Sequence, residues 1–157
     1  MIQFQQLLKD DPALIAFNQN KPGLASLSSI EESLLISTAF TTKKQTMVIV
    51  KGNLYAAQQF YYYLYPLVKD DVLLLTVEES LRVEAVAASS SIYASQVDVL
   101  TQIVTSDKPK IIITHPSAII RFFPTKETFI KHIISLKVND TYDMNKMKDL
   151  QWLSSNC

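Results

Sequence analysis

The sequence predicts a doubly wound α/β fold, a parallel sheet with helices on both faces, and three observations predict it. Short, continuously apolar runs at residues 46–50, 72–75 and 110–114 read as strands of a covered sheet. Between them lie segments with apolar residues three and four apart, the spacing of an amphipathic helix. The third observation is the junction at residues 23–35, where the short apolar stretch Leu24-Ala25-Ser26-Leu27 passes through a small-residue turn into a helix. In doubly wound proteins a phosphate-cradling loop sits at such a junction.

Composition sets the outer limits. A chain of 157 residues with 48% apolar and 19% charged residues has the material for one sizeable core and is not expected to be disordered. Fifteen basic residues balance fifteen acidic ones, so no global field draws the chain to nucleic acid or to an anionic membrane. The single cysteine, Cys157, supports no disulfide framework and suits a reducing compartment. Met1-Ile2-Gln3-Phe4 lacks the start of a signal peptide, and no apolar run approaches the roughly 20 residues of a membrane span. A cytoplasmic, soluble monomer is expected.

In chain order, Phe4, Leu7 and Leu8 mark a first helical turn. Asp11-Pro12 then opens a second, with Asp11 as N-cap and proline at the first helical position. Pro22-Gly23 admits the strand at 24–27, and Ser28 or Ser29 caps a helix from about Ile30 to Phe40. The strand at 46–50, expected to be covered on both faces, turns through Lys51-Gly52-Asn53 into a helix reaching about Val68. Leu54, Ala57, Tyr61, Leu64 and Val68 form its inward stripe, with Tyr55, Gln59 and Tyr62 pointing outward. After the strand at 72–75, serines around residues 89–91 open a helix from Ile92 to about Thr105 that packs Tyr93, Val97, Leu100 and Val104. The strand at 110–114 ends in His115-Pro116-Ser117. A brief helix at 125–129, a strand at 132–138 and a helix at 144–153 complete the pattern.

A working phosphate loop needs G-x-x-x-x-G-K-[ST]. On that template the chain offers Ser26 and Glu31 at the glycine positions, Glu32 at the lysine position and Ser33 at the hydroxyl position. A carboxylate where a triphosphate needs a cation turns attraction into repulsion. Ser26, Ser29, Glu31, Glu32 and Ser33 therefore read as a degenerate P-loop that binds no ATP, and Glu31 and Glu32 serve equally as first-turn acids favouring the helix dipole. Having only two glycines points the same way. Glu78 and Glu79, after the third strand, sit where a magnesium-holding carboxylate would, but a short helical turn accounts for them. The serines at 89–91 lack the G-x-S-x-G setting of a nucleophile. No catalytic residue, metal ligand or cofactor is assigned. Tyr55, Tyr62 and His115 remain as candidate surface contacts, beside the plainer readings of His115 as a satisfied turn residue and of the tyrosines as amphipathic residues packed on their neighbours.

Read in order, several stretches resemble the N-terminal, UvrB-like region of bacterial transcription-repair coupling factors (Mfd). They are 24–29 at the degenerate loop, Met47-Val48-Ile49-Val50-Lys51-Gly52-Asn53-Leu54-Tyr55-Ala56-Ala57-Gln58, Glu84-Ala85-Val86-Ala87-Ala88-Ser89, 111–119, Arg121-Phe122-Phe123-Pro124 and 136–140. The resemblance covers residues 24–153. It implies a RecA-like α/β fold of the P-loop NTPase kind without hydrolytic activity, in a longer protein whose motor lies elsewhere. It also implies recruitment of UvrA, largely through a second domain, and action on stalled RNA polymerase and DNA through other domains. The family's loop often keeps a glycine or two, where this chain has Ser26 and Ser29. The organisation expected is a helical lead-in at 1–22, a UvrB-like domain at 23–129 and the start of a second α/β domain at 130–157.

The functional expectation is a non-catalytic UvrB-homology scaffold of nucleotide excision repair, with no membrane contact. Two other readings use different residues. An active NTPase or helicase half-domain would use Ser33 with Glu78 and Glu79, and a DNA-binding module would use Lys51, Tyr55 and Tyr62.

Overall fold

The computed structural model describes residues 8, 10–20, 27–77, 90–121 and 123–133. The chain divides into two compact units, Met1–Arg121 and Phe122–Cys157. The first is mixed α/β, built on a three-stranded parallel sheet.

Its elements follow the local chemistry closely. Helix α1, Pro12–Asn18, begins where Asp11 Oδ1 accepts from the Ala13 and Leu14 amides, at 2.8 and 3.3 Å, with proline at the first position. Helix α2 is Ser29–Lys43, capped by Ser28, and it runs three residues past the expected end at Phe40. Its buried side carries Ser33, Ser37 and Thr38 beside Ile36, Ala39 and Phe40. Those hydroxyls are tolerated because each donates to a carbonyl one turn back: Ser33 to Ile30, Ser37 and Thr38 both to Leu34. Helix α1 packs on α2, and Lys43 ties the two by donating to the Phe17 carbonyl and Asn20 Oδ1.

Strand β1, Met47–Val50, leads through Lys51-Gly52-Asn53 into α3, Leu54–Val68, whose first turn is capped by Asn53. A single 3-10 turn, Lys69–Asp71, enters β2, Val72–Leu74. Helix α4, Ser90–Thr105, precedes β3, Ile111–Thr114, and the short α5, Pro116–Ile119, follows it. In the second unit, α6, Lys126–His132, starts at a Thr125 cap, with Glu127 in its first turn and Lys131 and His132 in its last, as the dipole favours. This helix spans residues 129 and 130, where the second domain was expected to begin. It also occupies His132, the expected first residue of a strand. Ile133 caps the end of that helix, while residues 134–138 of the expected strand, the helix at 144–153, Phe4 and Leu7 of the first turn and most of the strand at 24–27 lie outside the described residues. Leu27, which is described, belongs to no strand.

The strand order is β1-β3-β2. The chain passes from β1 beyond β3 to β2 and then turns back, and right-handed crossovers make such a reversal send α3 and α4 to opposite faces. Helix α3 lies on the face carrying Val72, Ile111 and Ile113, where Ala57, Phe60 and Leu64 join Ile36 and Phe40 in the core. The central strand β3 is buried at all four positions, as a strand flanked on both sides and both faces should be.

Two expected packing registers differ. On α3 the core residue is Phe60, 1% exposed, while Tyr61 is only partly covered. Both lie near the stripe, and the ring without a hydroxyl takes the dry position. On α4, Val97 is 54% exposed and Val99 is buried instead. Strand β1 is not covered on both faces, because it is a sheet edge among the described residues. Met47 and Ile49 turn toward the core, while Val48 and Val50 are 62% and 51% exposed.

Backbone with positive φ falls at Asn20, Lys44 and Lys69, at 54°, 49° and 50°. Gly52 is not in that region, and a Cβ built there would meet nothing within 4 Å.

Candidate functional site at the carboxyl edge of the sheet

In parallel α/β sheets, ligands bind beyond the carboxyl ends of the strands, where loops and helix N-termini converge. Here that edge gathers Lys51 after β1, Val77 beyond β2 and His115 after β3. The start of α2 joins them through a contact with Lys51.

The α2 terminus is closed by its own residues. Ser28 and Glu31 form a capping box. The Glu31 amide donates to Ser28 Oγ at 3.3 Å, and the Ser28 amide and hydroxyl each donate to Glu31 Oε2 at 2.8 Å. These bonds, the backbone one foremost, hold the Glu31 carboxyl below its ordinary value. Glu31 is thus ionised and committed to the amides that a phosphate would otherwise approach.

Glu32, at the lysine position of the phosphate-loop template, is paired. The Lys51 ammonium lies 2.5 Å from Glu32 Oε2 and 3.9 Å from the centre of the Phe60 ring, with the two charged side chains only 17% and 31% exposed. The cation that a nucleotide would need is present at this edge, on β1 rather than on the loop. It is held by a carboxylate beneath it and an aromatic face beside it. This revises the expectation in its physical cause: Glu32 does not stand as a bare repelling charge but forms a neutral pair with Lys51. Ser33, at the hydroxyl position, is 2% exposed and donates to the Ile30 carbonyl at 2.7 Å, so its oxygen faces the helix backbone rather than an open site. Ser29 is exposed at the first helical position, and Ser26 lies outside the described residues, as do Glu78, Glu79 and Ser89.

His115 is not a surface contact. It is 0% exposed, and its Nε2 accepts from the Val77 amide at 3.3 Å, linking the ends of β2 and β3. With Nε2 accepting, the ring proton sits on Nδ1. Tyr55 and Tyr62 do lie on the surface, 67% and 73% exposed, on the outer side of α3. Tyr55 OH accepts from Gln59 Nε2 at 2.6 Å. Lys51 is not brought to them, since its ammonium rests over Phe60 on the buried side of the same helix. Among the described residues, no three His, Cys, Asp or Glu side chains are grouped to hold a metal, and no helix is long and apolar enough to cross a membrane.

The Lys51–Glu32 pair joins residues 19 apart in sequence and escapes any local pattern. The only hint was the position of Lys51, immediately after a strand. Compared with protein-family models, curated proteins and solved structures, the chain matches none.

Proposed function

We propose that this chain is a non-catalytic, UvrB-like scaffold of a transcription-repair coupling factor, with a RecA-like sheet whose nucleotide site is filled by its own side chains. The full-length protein would displace stalled RNA polymerase with a motor located elsewhere and recruit UvrA for nucleotide excision repair. The ordered sequence resemblance supports the assignment to this family. The observation that carries the inert site is the double closure at the start of α2, with Ser28 on Glu31 and Lys51 on Glu32. A triphosphate would have to displace a carboxylate from each, with little net positive charge to reward it.

Titration with a fluorescent ATP analogue and magnesium tests the reading. No saturation up to about 1 mM is expected, and saturable binding tighter than that, roughly 4 kcal/mol, overturns it in favour of an active NTPase. A pull-down comparing this chain with a version extended through a complete second domain tests the partner. UvrA retained only by the longer form is the expected result, and UvrA retained by neither removes the family assignment.

A further inference from the structure

The outer edge of β2, a sheet edge among the described residues, carries a second, independent feature. A cavity of about 590 Å³ runs along it, walled by Tyr61 and Tyr65 of α3 on one side and by Asp98, Val99 and Gln102 of α4 on the other. Its floor is the strand itself, Val72–Leu74, continuing to Thr76.

The parity of the ladder decides what that floor offers. The Leu75 amide donates to the Ile113 carbonyl at 2.9 Å, so residues 73 and 75 turn their backbone groups toward β3. Residues 72, 74 and 76 therefore turn theirs outward. Two of these outward groups have partners: the Val72 amide donates to the Lys69 carbonyl, and the Thr76 carbonyl accepts from Gln96 Nε2 at 2.7 Å. The Val72 carbonyl and both Leu74 groups face the groove. That is the repeat with which an added strand pairs.

The walls select by charge. Among the described residues, the charged ones lining the cavity are Asp70 and Asp98, both exposed, and none is a lysine or arginine. Lys110 is taken up by the Asp71 carboxylate and the Asp70 carbonyl. Tyr61 and Tyr65, 5.6 Å apart between ring centres, add aromatic faces that favour a cation. We infer that the β2 edge is a docking groove for an extended, basic peptide segment of a partner protein, which adds to the sheet beside Leu74 and places its lysines or arginines against Asp70 and Asp98. This inference does not rest on the proposed repair role.

The test uses the full chain and an acetylated, amidated peptide of four Lys-Val repeats, with four Glu-Val repeats as control. Expected are saturable binding of the basic peptide, at least tenfold weaker binding of the acidic one, and slowed exchange with a shifted NMR resonance at the Leu74 amide. Asp70→Lys combined with Asp98→Lys, both at exposed positions, lowers affinity for the basic peptide at least tenfold while leaving the circular dichroism unchanged. Leu74→Pro removes the outward amide where an edge strand tolerates proline, and it abolishes binding. If that variant misfolds, the charge reversal still decides the matter. No saturation up to 1 mM, equal binding of the two peptides, affinity within twofold after charge reversal, or resonance shifts confined to other elements would each overturn the inference.

Discussion

Lys51 and Glu32 meet across the carboxyl edge of the sheet, one at the end of β1 and the other in the first turn of α2, with the Phe60 ring beneath the ammonium. The pair joins the helix start to the sheet. Being only partly buried, it should contribute modestly. Glu32→Gln is expected to cost about 1 kcal/mol by urea denaturation. Lys51→Met, which keeps its stem over the ring, should cost less. The double variant should fall short of the sum by roughly 0.5 kcal/mol, because one interaction is lost in both. Strict additivity would mean that the pair is geometric only.

The capping box predicts a pH dependence. Glu31 has a folded-state value below its ordinary 4.5, so it stabilises the fold above that ordinary value and ceases to do so as pH falls through the lower one. Glu31→Gln should flatten this part of the stability profile, read as the urea midpoint on acidification. Ser28→Ala should do likewise and cost about 1 kcal/mol at neutral pH, against a few tenths for Ser28→Gly.

His115 should behave as a structural acceptor. His115→Leu, closer to the imidazole in volume than an aromatic ring would be, leaves the buried Val77 amide without its acceptor, at an expected cost of about 1–3 kcal/mol. Hydrogen exchange at Val77 should accelerate in the variant. An unchanged Val77 amide would show that another group holds it.

The register of α3 separates its aromatic residues. Phe60→Ala should cost about 3–5 kcal/mol by opening the core between α2, α3 and the sheet. Tyr55→Ala and Tyr62→Ala, at exposed positions, should stay within about 0.5 kcal/mol of the parent. Neither should alter mobility of short DNA, which checks the stacking-surface reading directly.

What could be read from the sequence was what is local. The Asp11-Pro12 start, the serine cap of α2 and the three apolar strands are decided by residues within a few positions of one another, and they lie within a residue or two of expectation. Three features were not local. Strand order decides that Val48 and Val50 fall on an exposed edge, although the run 46–50 is as apolar as the buried 111–114. Helical spacing alone does not distinguish Phe60 from Tyr61, or Val99 from Val97, because either neighbour fits a stripe of three and four. That His115 is a satisfied residue was within reach of the sequence, but its partner was not, because only the path of the chain beyond β2 brings the Val77 amide onto it.

The positive-φ backbone at Lys44 and Lys69 leaves room for engineering. Side chains bearing a Cβ occupy conformations that cost about 1–2 kcal/mol for L-residues, while Gly52 keeps a freedom that its backbone does not use. Lys44→Gly and Lys69→Gly should each relieve local crowding, and Gly52→Ala should stabilise by roughly 0.4–1 kcal/mol through the unfolded chain. A triple variant, with one glycine removed and two placed where the backbone needs them, should therefore melt at a higher temperature, with the hydrophobic interior untouched.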